Sequence, residues 1–533
     1  MIKTKLIIFF FCYPLLFSNE LPKGLTDDEK VRFHEIYSMG RETEPPVGPI
    51  RNIAEYERMQ GVLIRYPFGV TMDLIAEIAE DVKIFCLVAS NQQNSAINTM
   101  TNGGINLDNV EFINGETDSY WTRDYGPWWI VNGQNKISIV DFTYNRPRPN
   151  DNNAPFKLSE YLEVPFYASD IIHAGGNYMT DGYGISASSD LIFEENQTSN
   201  DVVLERMTNY YGIETYHVID DPNNTYIDHI DCWGKYLSPT KVLIREVPIN
   251  HPQYNQIEET ATYFLSSLNT WGEPWTVYRV WTPGNEPYTN SLIINEKILV
   301  PITGGSWDEA ALNEYQIAMP GYEVVGFSGS WESTDALHCR TKGIPDLEML
   351  QIFHNPLNDN LLPTSNGYSI EAQIQDLSGT GLIPDSMKIF WRNPNDNNWS
   401  FSILDLDDES ESGTNWLGFI PSIADSNIIN YYIQAADSSG RIEKNPIGGW
   451  HAFFAFPTNA CDEWIIGDLN NSGSVEISDV LKVSDKVLNQ EPSGICSDAV
   501  SDINNDGEIS LLDVILLVNI IMNQYENSTE EIN

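Results

Sequence analysis

The chain has 533 residues and a formal net charge of −47 at pH 7. One hydrophobic core does not support this length, and a prior of roughly 150 residues per domain suggests about three domains. The acidity excludes a nucleic-acid partner on electrostatic grounds and favours cationic ligands, such as arginine-bearing peptides or Ca²⁺. Acidity of this kind also keeps an exported protein soluble without any specific ligand.

The N-terminus has the order of a secretory signal, with two early lysines, an apolar run from Leu6 to Phe17, and then polar residues from Ser18. This run is well short of the ~20 residues that cross a bilayer, and no later segment reaches that length. Cys12 follows Phe11 rather than a small residue, which disfavours lipoprotein processing. We therefore expect an exported or cell-surface protein without a membrane span, with residues 1–18 as signal peptide and 19–44 as a candidate pro-segment.

Cysteine usage fits an oxidising compartment with at least one unpaired thiol. After the predicted signal the chain keeps an odd number of cysteines: Cys86, Cys232, Cys339, Cys461 and Cys496. Cys461 and Cys496 flank a short C-terminal module and are candidates for a disulfide, whereas Cys339 is the candidate for a free, reactive thiol. Spacing alone does not fix the connectivity.

Residues 45–354 read as an α/β domain, because short apolar runs alternate with helical patterns. Strand-like runs occupy 61–67, 241–245 and 291–295. One predicted helix spans 73–81 with Leu74, Ile75 and Ile78 facing inward. A second helix is predicted from apolar residues at helical spacing, which are Ile257, Ala261, Phe264, Leu265 and Leu268.

Residues 355–457 carry only strand-like runs between turns rich in Asn, Asp, Ser and Gly. The clearest runs are 388–391, 428–433 and 450–454. This number and length of strands is typical of an immunoglobulin-like β-sandwich, although the cysteine pair of such domains is missing. We expect a structural or partner-contacting role for it.

Two loops near the C-terminus repeat each other position by position. Oxygen-bearing side chains around a glycine at position 6 form the loop that a hard cation such as Ca²⁺ requires. The first loop supplies Asp468, Asn470, Ser472, Ser474 and Asp479, and the second supplies Asp502, Asn504, Asp506, Glu508 and Asp513. An ordinary turn is the alternative for one such loop, but two copies, each followed by an amphipathic pattern, predict a Ca²⁺ module. After the second loop, one apolar stripe is predicted: Val514, Ile515, Val518, Ile521 and Met522.

Residues 461–525 resemble a dockerin domain, which implies a cohesin-type partner or surface attachment. The chain differs from that family in its Cys461 and Cys496 pair and in lacking a carbohydrate-degrading module. A Ca²⁺-stabilised helical cap without a partner is the alternative.

Three short segments carry residue types suited to attack on a guanidinium group: Trp121–Asp124, His229–Asp231 and Cys339. Carboxylates can pair with the planar cation, a thiolate can attack its central carbon, and an imidazole can move protons. If 229–231 is a strand, His229 and Asp231 point to the same face. Taken singly, each residue is more often structural, as a helix cap, a core histidine or an inert buried cysteine.

The surrounding motifs resemble bacterial peptidylarginine deiminases of the pentein superfamily, over roughly residues 45–457. The motifs are Tyr120–Tyr125, Tyr144–Asp151, Gly175–Met179, Tyr226–Gly234, Tyr288–Asn290 and Leu337–Cys339. The resemblance implies a catalytic domain folded as a five-bladed, pseudo-symmetric α/β-propeller, followed by the immunoglobulin-like and dockerin-like domains.

The same resemblance implies roles for single residues. Cys339 would be the nucleophile, His229 the general acid and base, Asp124 and Asp231 the guanidinium-binding carboxylates, and Asn290 a further polar site residue. Substrate contacts would come from Trp121, Tyr226 and Ile227, and a peptide's terminal carboxylate would bind Arg146 and Arg148.

The expected reaction is hydrolysis of peptide arginine, preferably at a C-terminus, to citrulline and ammonia. Cys339 adds to Cζ, His229 protonates the departing ammonia, and water hydrolyses the thiouronium with no metal or cofactor in the chemical step. An agmatine deiminase would share this chemistry but would not need Arg146 and Arg148. A separate alternative is that these two are surface arginines paired with Asp151 and its neighbours. A Ca²⁺-dependent binding or scaffold protein with an inactive catalytic domain is the alternative of another class.

Overall fold

The computed structural model describes residues 21–357, 360–410, 413–489, 494–504 and 508–530. The predicted signal peptide and Asp506 of the second predicted loop lie outside the described residues. The chain divides into two compact units. One comprises the chain up to Ile294 together with Ile298–Glu314 and Val324–Asp346, and the other comprises Asn295–Lys297, Tyr315–Glu323 and the chain from Leu347 onward.

The α/β region contains short strands separated by helices. Its strands are β1 (Arg51–Asn52), β2 (Met59–Arg65), β3 (Lys83–Val88), β4 (Val110–Asn114), β5 (Trp128–Val131), β6 (Ile137–Tyr144), β7 (Phe166–His173), β8 (Met179–Thr180), β9 (Ile185–Ser189), β10 (Thr215–Ile219), β11 (Gly234–Ser238), β12 (Lys241–Glu246), β13 (Thr276–Trp281), β14 (Leu292–Ile294), β15 (Lys297–Ile302), β16 (Glu323–Ser328) and β17 (Lys342–Pro345). Its helices are α1 (Asp27–Arg32), α2 (Met72–Asp81), α3 (Gln93–Asn102), α4 (Pro149–Asn152), α5 (Ala154–Leu162), α6 (Leu191–Glu195), α7 (Asn200–Tyr211), α8 (Tyr254–Ser266) and α9 (Asp308–Ala318).

Within the described residues these strands form five sheets, ordered β1-β5-β6-β7, β10-β9-β8, β11-β12-β13, β14-β15-β16 and β17-β2-β3-β4. A recurring unit is visible in them. β5 is antiparallel to β6, which is parallel to β7, and the same sequence of pairings holds for β8-β9-β10, β11-β12-β13 and β17-β2-β3. Each parallel pair is joined by a helical crossover, as parallel strands require. The α/β prediction is confirmed, and β17 closes the region by pairing with β2 near its start.

The two predicted helices form, with one error in the second. In α2, Leu74, Ile75 and Ile78 are buried as expected. In α8, Ile257, Ala261 and Phe264 are buried, but Leu265 and Leu268 are exposed. The helix ends at Ser266, so Leu268 lies beyond it and the buried stripe is narrower than predicted.

The following region is made of strands, as the sequence predicts. They are β18 (Leu350–Phe353), β19 (Tyr368–Asp376), β20 (Lys388–Arg392), β21 (Ser400–Ser410), β22 (Gly413–Ile420), β23 (Asn427–Ala436), β24 (Ile442–Asn445) and β25 (His451–Ala455). They follow one path, β18-β19-β22-β21-β20-β23-β24, with β25 beside β23. The long strand β21 pairs with β20 through its first half and with β22 through its second half. The strand-only prediction is confirmed, and β21 joins the two halves of the path, β18-β19-β22 and β20-β23-β24.

The C-terminal module is helical, with α10 (Ile477–Asn489), α11 (Ile495–Ala499) and α12 (Leu511–Glu530). The predicted disulfide between Cys461 and Cys496 is present, whereas Cys86, Cys232 and Cys339 are free and buried. None of the described helices is long and apolar enough to cross a membrane.

The predicted stripe on α12 is partly wrong. Leu517, which the stripe omitted, is fully buried in the module's core, with Ile521 nearly so and Val514 packed against them. Ile515, Val518 and Met522 are exposed. These positions lie on a second apolar face of the same helix. The predicted stripe therefore combines residues from two faces.

Candidate active site

Five segments from distant parts of the chain supply the candidate site, and each comes shortly before a strand of a different sheet. Asp124 precedes β5, Gly176 precedes β8, Asp231 precedes β11, Asn290 precedes β14 and Cys339 precedes β17. We call these five strands the leading strands. In four of the five sheets the leading strand is antiparallel to its neighbour, which is parallel to the third strand, so the segments before β5, β8, β11 and β17 occupy equivalent places.

Cys339 is fully buried in a short 3₁₀ turn, His338–Arg340. The side-chain amide of Asn290 donates to its Sγ at 3.2 Å, while the amide oxygen accepts from the backbone N–H of His338 and of Cys339. The Sγ lies 3.6 Å from Oδ2 of Asp231. Burial and then the charge of Asp231 raise the pKa of the Cys339 thiol, so nucleophilic attack needs a base.

His229 and Asp124 face each other in the same buried space. Nδ1 of His229 lies 3.5 Å from Oδ1 of Asp124, and neither ring nitrogen makes a hydrogen bond within the described part of the chain. Burial lowers the pKa of His229 well below its ordinary value, so the imidazole is neutral and able to accept a proton. Burial also raises the pKa of Asp124 to about 7.

Gly176 lets the three charged or polar groups converge. A Cβ at this position would lie 2.5 Å from Oδ1 of Asp124, 2.7 Å from Nδ1 of His229 and 3.2 Å from Oδ2 of Asp231. The prediction that 229–231 is a strand is wrong, because Ile230–Cys232 form a 3₁₀ turn. His229 and Asp231 nevertheless reach one site, since both side chains surround the same glycine.

A buried network behind the site holds Asp231. Nδ1 of His338 lies 2.8 Å from Oδ2 of Asp231, and its Nε2 lies 2.6 Å from Oε2 of Glu55. Glu55 is in turn paired with Arg123 and Lys235, at 2.8 and 2.7 Å. Burial alone would raise the pKa of Asp231, but the hydrogen bond from His338 and neighbouring positive charge lower it well below its usual range. This carboxylate is therefore ionised.

Sequence reasoning missed this network. His338 stands inside the Leu337–Cys339 motif, but nothing in the motif shows that its ring bridges two carboxylates. Glu55 lies far upstream, and no local pattern marks it.

Lys23 occupies the centre of the site. Its Nζ lies 2.8 Å from Sγ of Cys339 and also donates to the carbonyl of Thr334. The side chain is buried. Burial opposes its charge, but nearby acidic groups, Cys339 and Asp124 foremost, raise the pKa of Lys23 well above its ordinary value. The sequence offered no signal for this residue, which lies in the candidate pro-segment.

Arg146 and Arg148 are buried and bind the same N-terminal segment. Nε of Arg146 donates to the carbonyl of Lys23 at 3.2 Å, and Arg148 donates to the carbonyls of Pro22 and Gly24 at 2.7 and 3.3 Å. Nε of Arg148 also pairs with Glu29 at 2.7 Å. The alternative of surface arginines paired with Asp151 is therefore wrong.

The remaining predicted contacts surround this segment. Trp121 is buried with the guanidinium of Arg148 over its ring at 5.3 Å. Ile227 is buried, whereas Tyr226 is 69% exposed and lays its ring against Gly24, where a Cβ would come within 2.6 Å of Cε2. The structure thus brings all the predicted catalytic and substrate-contacting residues to one region.

Comparison with known proteins identifies a family for the α/β region. Residues 63–345 match the Porphyromonas-type peptidyl-arginine deiminase family. The chain belongs to this family. Its catalytic region is thus that of a guanidino-group deiminase, a hydrolase acting on C–N bonds in amidines.

Curated relatives carry the name of a neighbouring activity. Proteins called "putative agmatine deiminase" from Legionella pneumophila and Mycoplasma capricolum are 26% and 25% identical over 44% and 46% of this chain, covering 75% and 78% of their own lengths. The name "putative agmatine deiminase" belongs to those relatives, to which this chain is similar.

Solved structures of this family share the fold. A "putative peptidyl-arginine deiminase" has a TM-score of 0.50 at 20% identity, over 56% of this chain and 99% of its own. The agmatine deiminase of Enterococcus faecalis has a TM-score of 0.50 at 18% identity, over 57% and 99% respectively. At this identity the likeness concerns the fold alone.

The first predicted Ca²⁺ loop is held by hydrogen bonds among its own residues. Oδ1 of Asp468 and Oδ1 of Asn470 both accept from the N–H of Ser472, and Oδ1 of Asp479 accepts from the N–H of Asn470. Asp468 and Asp479 are buried. Asp468, Asn470 and Asp479 thus contact the same short stretch of backbone, and Ser472 and Ser474 are the remaining oxygen-bearing residues of the predicted loop.

The second loop is described in part. Asp513 is fully buried and accepts from the N–H groups of Ile503 and Ser510, as Asp479 does in the first loop. Asp502, Asn504 and Glu508 lie in the described residues on either side of the gap. Residues 466–529 match the dockerin type I domain, and the module is therefore a dockerin domain, a type that binds Ca²⁺.

Proposed function

We propose that the protein hydrolyses the guanidinium of arginine in peptides, preferably at a C-terminus, to citrulline and ammonia. The contacts of Lys23 support this assignment most directly. Its side chain reaches Cys339 while its own carbonyl binds Arg146. A substrate arginine whose side chain lies in the same pocket would place its carboxylate at Arg146 and Arg148, which match that charge.

In the proposed first half-reaction, neutral His229 takes the thiol proton of Cys339 and the thiolate adds to Cζ. Asp124 and Asp231 pair with the guanidinium, and Asn290 holds the sulfur toward the carbon. The imidazolium then gives its proton to one –NH₂ group, the C–N bond breaks, and ammonia leaves. A positively charged thiouronium on Cys339 remains.

In the second half-reaction, His229 takes a proton from water, and the hydroxide adds to the same carbon. The C–S bond breaks and the ureido C=O forms as the hydroxyl proton is lost to solvent, where it converts the released ammonia to ammonium, and His229 returns its proton to the sulfur. The net change is guanidinium plus water to citrulline plus ammonium. No step in this scheme is routed through a metal.

Agmatine deimination is the second candidate, since curated relatives carry that name. Agmatine has no carboxylate, so it leaves Arg146 and Arg148 without a function in binding. The deciding assay compares four substrates by mass spectrometry: a peptide ending in arginine, the same residues with arginine internal, free arginine and agmatine.

We expect conversion mainly of the C-terminal arginine. In Arg146→Ala or Arg148→Ala this preference should fall by roughly the 10- to 100-fold that a charge-assisted pair of about 1.5–3 kcal/mol provides. Faster turnover of agmatine, or an unchanged ratio of C-terminal to internal arginine in both variants, would overturn the peptide assignment.

The alternative of a scaffold protein with an inactive catalytic domain is tested by measuring ammonia release from an arginine peptide. Release by the wild type that is lost in Cys339→Ser would exclude this alternative. The matched control is Cys86→Ser, because Cys86 is also a free, buried cysteine but belongs to β3. Loss of activity in both variants would point to general destabilisation.

The proposal extends to the whole chain. The five sheets would be the blades of an α/β-propeller at 45–354, followed by an immunoglobulin-like domain at 355–457 and the dockerin domain at 461–525. Export through residues 1–18 would bring the enzyme to peptide substrates outside the cell. The dockerin domain would attach it to a cohesin-type partner.

A further inference from the structure

The N-terminal segment Pro22–Glu29 contacts the candidate active site at three points. Lys23 reaches Cys339, the carbonyls of Pro22, Lys23 and Gly24 bind Arg146 and Arg148, and Glu29 pairs with Arg148. These are the groups to which the proposed function assigns substrate binding. We propose that this segment is an intramolecular pseudosubstrate that occupies the site with a lysine in the place of the substrate arginine.

The chemistry of lysine makes it a suitable inhibitor. Nζ of lysine and Cζ of arginine are separated from Cα by the same number of bonds. The Lys23 ammonium therefore stands where the carbon under attack would stand, 2.8 Å from the nucleophilic sulfur. It supplies the positive charge that the carboxylates bind, but it has no amidine carbon for the thiol to attack.

Glu29 completes the resemblance to a peptide substrate. Its two carboxylate oxygens lie 2.7 and 3.2 Å from Nε and Nη2 of Arg148. A capping box fixes this carboxylate, because Thr26 N–H donates to Glu29 and Glu29 N–H donates to the Thr26 hydroxyl. The start of α1 thus presents a carboxylate to the arginine that would otherwise receive the substrate's own.

The rest of the segment tethers the pseudosubstrate. Ile36 is fully buried, the carbonyl of Met39 accepts from the Asn152 side chain, and Thr43 exchanges hydrogen bonds with Ala168. A tether this short holds Lys23 at a high effective concentration near the site. Substrate must therefore displace the segment before it binds.

The inference rests on the proposed deiminase function and is tested in the full chain with three variants. Lys23→Met keeps the apolar stem and removes the charge. Lys23→Arg places an amidine carbon where the ammonium stood. Lys30→Met is the matched control, because Lys30 belongs to the same segment but is exposed and pairs only locally with Asp27 among its described contacts.

In Lys23→Arg we expect residue 23 to become citrulline, detected by peptide mapping. Its rate should not depend on protein concentration, since the reaction is intramolecular, and Cys339→Ser should abolish it. No modification of residue 23, in a variant that still turns over added peptide, would contradict placement of this side chain at the reacting atoms.

In Lys23→Met the KM for an arginine peptide should fall on the order of 10-fold with little change in kcat, because the binding-competent state is no longer depleted. Alkylation of Cys339 by iodoacetamide should accelerate in parallel, and Lys30→Met should match the wild type in both measurements. Equal KM and equal alkylation rates in Lys23→Met and the wild type would overturn the pseudosubstrate. Faster alkylation of Lys23→Met without turnover of any guanidine would instead overturn the proposed function. It would still support the conclusion that Lys23 occupies the site beside Cys339.

Discussion

At the scale of single residues, the two carboxylates of the site differ in pKa because their surroundings differ. Asp231 is held ionised by His338 and nearby positive charge, whereas burial raises the pKa of Asp124 to about 7. A guanidinium entering between them brings the positive charge that favours ionisation of both. The substrate cation thus supplies the positive charge that balances the two carboxylates. When no substrate is bound, the Lys23 ammonium supplies that charge.

Gly176 gives the sharpest prediction at this scale. We expect Gly176→Ala to lower kcat/KM on the order of 10²-fold or more, since its Cβ would push apart the carboxylates and the imidazole that stabilise the transition state. Gly494→Ala is the control, because φ there is −63° and a Cβ would contact nothing within 4 Å. Steady-state kinetics with an arginine peptide and thermal melting measure both variants. Full activity in a folded Gly176→Ala would contradict the site as described.

At the scale of elements, short segments before strands carry the candidate catalytic residues, and short loops before helices carry the predicted cation ligands. In the first loop, Asp468 and Asp479 both accept from backbone N–H groups of the same loop. A Ca²⁺ ion bound to both carboxylates would offset the repulsion between their charges. Binding would also couple the order of the loop to the helix that follows.

We predict that isothermal titration finds two Ca²⁺ ions for the wild type and one for either Asp468→Ala or Asp502→Ala. Ca²⁺ at 100 times its dissociation constant should stabilise the module by about 2.7 kcal/mol per site, so chelation should lower its melting temperature. Lys482→Ala, an exposed change on α10, should behave as the wild type. Two ions in both aspartate variants would place the sites elsewhere.

At the scale of the whole molecule, the net charge is expected to affect how cationic ligands approach the protein. A formal charge of −47 attracts cationic peptides over distances beyond direct contact. Screening by salt weakens this attraction, since the Debye length falls to about 8 Å at physiological ionic strength. Association is affected, whereas the buried chemical step is not.

For a peptide ending in arginine with flanking lysines, we therefore expect kcat/KM to fall on the order of 10-fold between low and high salt, at nearly constant kcat. The matched peptide with flanking glutamates should show a smaller fall or a rise. Initial rates across a salt series measure both slopes. Equal slopes for the two peptides would argue against steering.

Features that depend on local pattern could be predicted from the sequence. Alternating apolar runs predicted the α/β region and the strand-only region, the repeated oxygen-bearing residues predicted the Ca²⁺ loops, and the long motifs around Asp124, His229 and Cys339 carried the resemblance to a family. Helix α2 followed from its periodicity because its burial is one-sided. Local patterns failed where faces compete, as on α12, and where a turn replaced the predicted strand at Ile230–Cys232.

Which distant groups meet could not be read from local pattern, because it depends on the folded arrangement of the chain. Glu55 and His338 are 283 residues apart, and Lys23 and Cys339 are 316 apart. No periodicity relates such positions, because their encounter depends on how separate sheets pack together and on the path of the N-terminal segment. The fold then sets the charges of Asp124, Asp231 and Lys23, since the pKa of each depends on its burial and on the charged neighbours that the fold supplies.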